Sequence, residues 1–357
     1  MLPCTLMAFH LLTVAATGTT QPRPSVLYPA FFDAPPSQAG KSVAITGCSR
    51  GLGFVTALAL AKKGARLYLL NRKSEGSNAA LAELTAACAA VGGPIPIQVD
   101  CNLLSFQSVR EAAAQVLEHL AGSGLDVLCC NAGIMLQPDE ASADGYDITI
   151  ATNVLAHFLL TRELFPALEA AAATPAGEAR VVTMSSGSGF GPPGFDSSMY
   201  AAGSGGRLGG MQQAGARYHQ SKLANMLFTV ELDRRCREAG SHVKALACTP
   251  GVCGTDMFVH VQENFFNPGR PADLGAVPSA EDGSLGQLKC ICDPTVQSGE
   301  CWGPRGMAGP PERIALEPPA VCINEGSQSA LWAACEAAVG TFDIGTASTA
   351  AAGGESV

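Results

Sequence analysis

The sequence predicts an α/β protein: one doubly wound parallel sheet of about seven strands with helices on both faces. Three observations carry this. From Ser42 onward, short β-prone runs alternate with longer Ala- and Leu-rich stretches, the pattern left by βαβ units. Forty glycines with only 6% aromatics suit a fold rich in tight turns. A glycine-rich turn, Thr46-Gly47-Cys48-Ser49-Arg50-Gly51-Leu52-Gly53, stands between the first strand-like run and the first helix-like run.

Taken in order, strands are expected over 42–46, 66–70, 95–99, 127–130, 180–185 and 243–248, with a short seventh at 300–302. Helices are expected over 52–63, 78–91, 106–121, 146–172, 212–239 and 327–339. One catalytic domain over 41–341 follows, and a tail over 342–357, mostly Ala, Gly, Ser and Thr beyond Gly345, reads as disordered. Residues 187–215, rich in Gly, Pro and Ser, and residues 254–278, irregular with scattered Phe and Pro, break the rhythm. Both follow expected strand ends, which favours active-site loops or lids over solvated spacers.

A net charge of −9 and a pI near 5.2 give no attraction for phosphodiester backbones, so nucleic acid is not an expected partner. The 14 cysteines fall mostly inside apolar runs such as 127–130 and read as buried reduced thiols. Cys290 and Cys292, or Cys129 and Cys130, lack the two-residue gap of zinc or dithiol sites, and the six histidines are scattered, so no metal is expected. Residues 1–40 read as a leader or a disordered segment. Their apolar run over 5–16 is too short to span a bilayer, and an acid-poor stretch follows it. That order resembles two-part plastid leaders of algae with secondary plastids. An organellar location or weak endomembrane association through the N-terminus is one expectation, and the cytoplasm is the other.

The glycine turn is where chemistry enters. Its glycines let the backbone turn sharply and approach a pyrophosphate, while the following helix offers free N–H groups and the positive end of its dipole. The spacing T-G-x-x-x-G-x-G departs from G-x-G-x-x-G. Further on stand Cys130-Asn131-Ala132-Gly133, then Asn153 in Thr152-Asn153-Val154-Leu155-Ala156-His157-Phe158. Ser185-Ser186, Tyr218-His219-Gln220-Ser221-Lys222-Leu223-Ala224-Asn225 and Pro250-Gly251 with Thr255 complete the series. In this order the motifs resemble the short-chain dehydrogenase/reductase family over about 41–341. They are nearest to retinol-dehydrogenase-like and protochlorophyllide-reductase-like members.

The resemblance implies a Rossmann-type domain holding NADP(H). Its cofactor residues are Thr46, Gly47, Ser49, Arg50, Gly51, Leu52, Gly53, Arg72, Asp100, Asn131, Ala132, Gly133, Tyr218, Lys222, Pro250, Gly251, Val252 and Thr255. Cofactor choice has a physical argument as well: Asn71-Arg72-Lys73 ends the second strand where an NAD enzyme usually carries a carboxylate, and guanidinium groups suit a 2′-phosphate. Asp100 resembles the residue that meets adenine, beside its plainer reading as a strand-end turn carboxylate.

Hydride transfer to a carbonyl leaves an oxyanion that needs a positioned proton. Tyr218 lies one helical turn from Lys222, whose ammonium is expected to lower the phenol towards working pH. The catalytic set is Asn153, Ser186, Tyr218 and Lys222, with Ser185 not separable from Ser186. The resemblance gives Asn153 a water linking Lys222 to solvent, and Val252 and Thr255 the nicotinamide carboxamide. The substrate expectation, from Met257, Phe258, Phe265 and Phe266 in the lid together with the resemblance, is a small apolar carbonyl or alcohol, retinoid-, sterol-, carotenoid- or fatty-aldehyde-like; the same aromatics read equally as core packing or an oligomer surface. Alternatives are a pigment C=C reductase, against which Ala224 stands where protochlorophyllide reductases carry cysteine, and a non-catalytic NADP-binding scaffold. The resemblance implies a homodimer contact through helices near 156–168 and 223–232, a state that Pro166 and any N-terminal anchor leave open.

Overall fold

The computed structural model describes residues 33–174, 177–316 and 324–345, together with 25, 27, 28 and 30. Eight strands pair into one sheet: β1 (Ser42–Thr46), β2 (Arg66–Asn71), β3 (Ile97–Asp100), β4 (Val127–Cys130), β5 (Ala179–Met184), β6 (Val243–Cys248), β7 (Cys301–Gly303) and β8 (Glu312–Ile314). The order is β3-β2-β1-β4-β5-β6-β7-β8, parallel throughout except for β8. The antiparallel β8 is the strand beyond the expected seven. Residues 304–311 are too few for the dozen-residue crossover that another parallel strand would need.

The helices are α1 (Gly51–Lys62), α2 (Glu75–Ala90), α3 (Phe106–Leu120), α4 (Ile148–Ile150), α5 (Ala156–Ala172), α6 (Ala214–Ala239), α7 (Asp256–Val261), α8 (Ala280–Cys292) and α9 (Glu325–Val339). Helices α1, α2 and α8 share one apolar core with a sheet face. Helices α3, α5, α6 and α9 build the other. Because β1 pairs with β2 on one side and β4 on the other, the chain reverses direction across the sheet there, and a crevice opens above the ends of β1 and β4.

Several boundaries differ from expectation for local reasons. Strand β3 starts after Pro96, which lacks an amide donor, and Ile95 is 72% exposed. The helix expected over 146–172 is interrupted by a π turn at Ala151–Leu155. Helix α8 lies where no helix was expected, its pattern broken by Gly283 and Gly286. Both are packing requirements: a Cβ on Gly283 would meet Cys253 Sγ at 2.6 Å, and one on Gly286 the Trp302 carbonyl at 2.8 Å.

Both chain ends add to the domain. Residues 33–40 lie along α1, with Gln38 N–H donating to the Lys63 carbonyl at 2.8 Å and Lys63 Nζ reaching the Asp33 carbonyl. Ser25 N–H donates to Glu281 at 2.6 Å. The apolar run over 5–16 lies outside the described residues, among which no helix is long and apolar enough to cross a membrane. At the other end Phe342, assigned to the tail from sequence, is 2% exposed and stacks on Trp332 at 5.2 Å. Trp332 of α9 also meets Phe158 at 4.9 Å and carries Arg235 over its ring at 4.1 Å. Thus Phe158, Phe165 and Phe228, on the two helices expected to face a second copy, pack against α9 or Phe342 of the same chain.

Trp332→Ala should cost about 3–5 kcal/mol, the range for emptying a buried aromatic site. Urea unfolding checks this; a loss below ~1 kcal/mol would mean that α9 contributes little to the core.

Candidate active site

The crevice is built by two turns clamped together. Thr46 Oγ1 accepts from the main-chain N–H of Asn131 at 3.1 Å and of Ala132 at 3.0 Å. Asn131 Nδ2 returns the contact to the carbonyls of Thr46 at 2.9 Å and Gly47 at 3.1 Å. The turns lie so close that a Cβ on Gly47 would stand 2.9 Å from Ala132, and one on Gly53 would stand 2.4 Å from both Asn131 Nδ2 and the Gly47 carbonyl. Gly51 differs. It has φ +57 and only the Thr255 side chain near it, at 3.7 Å, so it faces the crevice. Helix α1 begins there with no side-chain cap and no acid in its first turn, leaving N–H donors and dipole for an anion. This cradle fits the pyrophosphate of a dinucleotide.

At the far end, Asn71 turns inward. Its Oδ1 accepts from Cys48 N–H at 2.8 Å and so shapes the glycine turn. Arg72 and Lys73 are exposed beyond it. Asp100, paired in register with Asn71, accepts from Lys73 N–H at 3.1 Å and holds that corner. Arg50 is 75% exposed and forms an ion pair with Asp256 of α7 at 3.2 Å, joining the turn to the 254–278 segment.

The residues expected to handle the proton meet at the end of β5. The Ser186 side chain lies beside the Tyr218 phenol, close enough to favour its ionised form. Ser185 is buried and donates to the Lys222 carbonyl at 2.7 Å, so of the two serines it is Ser186 that meets the phenol. Lys222 Nζ lies 5.7 Å from the Tyr218 ring centre and donates to the Met184 carbonyl at 2.9 Å. Asn225 donates to the same carbonyl at 3.0 Å. Asn153 sits in the π turn with no exposure. Its Oδ1 accepts from Ile134 N–H at 2.9 Å, and its Nδ2 donates to the Ile134 carbonyl at 3.0 Å and to Ser221 Oγ at 2.9 Å. The Asn153 carbonyl is 3.3 Å from His157 Nδ1, whose other nitrogen meets Thr46 Oγ1 at 2.9 Å. Burial holds that imidazole down at about 4, hence neutral.

Electrostatically the site departs from expectation. Burial pushes the Tyr218 phenol up to about 12, the nearby Ser186 side chain opposing it, and holds the Lys222 ammonium down at about 8. The protein's own groups thus raise the phenol rather than lower it, because desolvation outweighs the effect of Ser186. At Val252 the N–H is taken by the Met307 carbonyl at 2.7 Å, so its backbone would meet a carboxamide through the Val252 carbonyl. The adjoining Gly251 has φ +68, and a Cβ there would strike the Met307 carbonyl at 2.4 Å. Thr255 caps α7 through Phe258 N–H at 3.4 Å.

Sequence reasoning missed Asn225, His157 and the fully buried Arg217. A cation beside the tyrosine was the available signal for Arg217, and a motif asparagine one turn from the lysine was that for Asn225.

Gly53→Ala should cost more than 2 kcal/mol, since backbone cannot yield to its Cβ, whereas Gly51→Ala should cost about 1 kcal/mol in backbone strain yet abolish dinucleotide binding by filling the cradle. Thermal melts and NADP+ titration of both variants check this; equal melting temperatures would refute it. For Lys222, the fall from 10.5 to about 8 amounts to about 3 kcal/mol against the charged form. That penalty is complete below pH 8 and fades as pH rises to 10.5. Lys222→Met should therefore raise stability by about 1–3 kcal/mol at pH 7 and by little at pH 11, read by urea unfolding at both values.

Comparison with known proteins agrees with this geometry. Residues 41–214 match the short chain dehydrogenase family. A short-chain dehydrogenase/reductase of Armillaria gallica is 34% identical over 68% of this chain and 76% of its own length. Human retinol dehydrogenase 13 is 34% identical over 71% of this chain and 72% of its own. The crystal structure of an uncharacterized protein from Mycobacterium paratuberculosis superposes with a TM-score of 0.68 at 31% identity, covering 88% of this chain and 98% of the other. The chain belongs to the short-chain dehydrogenase/reductase family, nicotinamide-dependent oxidoreductases, and is retinol-dehydrogenase-like.

Proposed function

We propose that this oxidoreductase uses NADP(H) to interconvert an apolar carbonyl and its alcohol, with Tyr218 as general acid and base. The observation that carries the reading is a buried Tyr218 phenol set beside the Ser186 side chain and 5.7 Å, at its ring centre, from the anchored Lys222 ammonium. Two hydroxyls side by side form a donor pair for one substrate oxygen. A reduced nicotinamide, when bound, supplies the hydride. Tyr218, protonated at neutral pH, gives its proton to the oxygen as charge develops there, and Ser186 holds that oxygen in place. Lys222, charged below about pH 8, stabilises the phenolate left behind. In the reverse direction the phenolate takes the alcohol proton.

For the 2′-phosphate, the inward turn of Asn71 and the absence of a carboxylate ending β2 support NADP(H), with Arg72 as its cation. An apolar substrate is supported by half-buried Met257, Phe258 and Phe265 in the lid and by the likeness to a retinol dehydrogenase.

NADPH oxidation with decanal and all-trans-retinal tests this. Wild-type chain should turn over, and prefer NADPH to NADH at least about tenfold, one charge-assisted contact's worth. Tyr218→Phe should lose about 10²–10⁴ in kcat with NADPH affinity unchanged. The pH profile of kcat/KM for reduction should be flat near neutrality and fall above about 8 as Lys222 loses its proton. Undiminished turnover by Tyr218→Phe, or a preference for NADH, would contradict the proposal.

A further inference from the structure

Immediately before Tyr218 stands Arg217, fully buried and paired with fully buried Asp147 at 3.0 Å. Surface cations are inexpensive to keep, but a buried ion pair gains little over well-packed apolar residues, so this pair calls for another explanation. Its contacts supply one. Arg217 Nη1 donates to the carbonyls of Leu208 at 3.2 Å and Gly210 at 2.7 Å, and Nη2 to the Gln137 carbonyl at 2.9 Å. The first two lie in the 187–215 segment, where Gly209 and Gly210 adopt φ +83 and +62. The third lies just after Leu136, which holds φ +51 although it carries a side chain, a strained conformation that persists only where its surroundings enforce it. Gln137 continues outward: its side-chain amide meets His260 Nε2 of α7 at 3.3 Å. One guanidinium thus ties the helix bearing the phenol to both loops beside it, and through Gln137 to the lid.

We propose that Arg217 is a positioning residue that sets the substrate pocket, fastening the 204–213 strap, the 134–139 loop and the lid helix α7 around Tyr218. The proposal rests on the enzyme reading above for its kinetic consequence, though not for its structural one. Asp147 serves it twice, because its other oxygen caps α4 by accepting from Thr149 and Ile150.

The test compares wild type with three variants. Arg217→Lys keeps a charge opposite Asp147 but cannot span three carbonyls. The double variant Arg217→Met with Asp147→Asn removes both charges and keeps the cap. Gln137→Ala removes the side-chain amide that meets His260 and the Met135 carbonyl, and leaves the Arg217 contacts in place. Hydrogen exchange should show faster amides over 204–213 and 256–266 in the first two variants, over 256–266 alone in the third, and unchanged amides in β1, β4 and β5. With decanal and NADPH, KM should rise at least tenfold in Arg217→Lys and a few-fold in Gln137→Ala, while kcat stays within threefold and NADPH affinity is unaltered. Unchanged loop exchange in Arg217→Lys and in the double variant overturns the proposal, as does a fall in kcat with KM unmoved. A wild-type chain inactive on every carbonyl overturns the enzyme reading instead, and the exchange data then judge the strap by themselves.

Discussion

The site depends on one main-chain carbonyl. Met184 ends β5, and its oxygen accepts from both the Lys222 ammonium and the Asn225 amide, donors one helical turn apart on α6. This anchors a 26-residue helix to the lip of the sheet at a fixed rotation. The same rotation aims Tyr218 at Ser186, the second residue beyond that carbonyl. Neither donor alone would fix it as well, since a single hydrogen bond still allows the helix to roll about its axis.

That anchor works within a second constraint, the contact between the turns after β1 and β4. Thr46 and Asn131 exchange hydrogen bonds across a gap too narrow for any Cβ on Gly47 or Gly53. His157 then joins this clamp to the Asn153 carbonyl, and Asn153 reaches Ser221 on α6. The glycine-turn cradle and the helix bearing Tyr218 and Lys222 therefore belong to one buried polar network. Such a network is costly when partly satisfied and rigid when complete, which suits a reaction that needs two reactants aligned. Desolvation follows from the same packing, and it makes the phenol a weak acid and the ammonium easier to discharge.

Much of this was legible in the sequence. Alternating runs placed six strands within about two residues, and the motifs singled out Asn153, Ser186, Tyr218 and Lys222 as candidates because each occupies a strand end or helix face with a fixed period. What stayed hidden has physical causes. Helix α8 carries two glycines that mimic breakers, although Ser279 and Asp282 spell the capping box that opens it. The π turn around Asn153 leaves the apolar period of the helix almost intact, so pattern alone cannot find it. Strand β8 is too short to show alternation. The phenol's direction of shift was misjudged because sequence gives proximity to a lysine but not depth of burial. Arg217 escaped for a related reason: a cation in sequence reads as surface until its partner, 70 positions away, is seen.

The central claim is that burial keeps Tyr218 a neutral phenol at working pH. Carbon-13 NMR of ring-labelled tyrosine reads this directly, with Tyr218→Phe assigning the resonance. Its ζ-carbon should remain at the phenol position through at least pH 10. A phenolate shift appearing between pH 6 and 9 in the protein without cofactor would contradict the account.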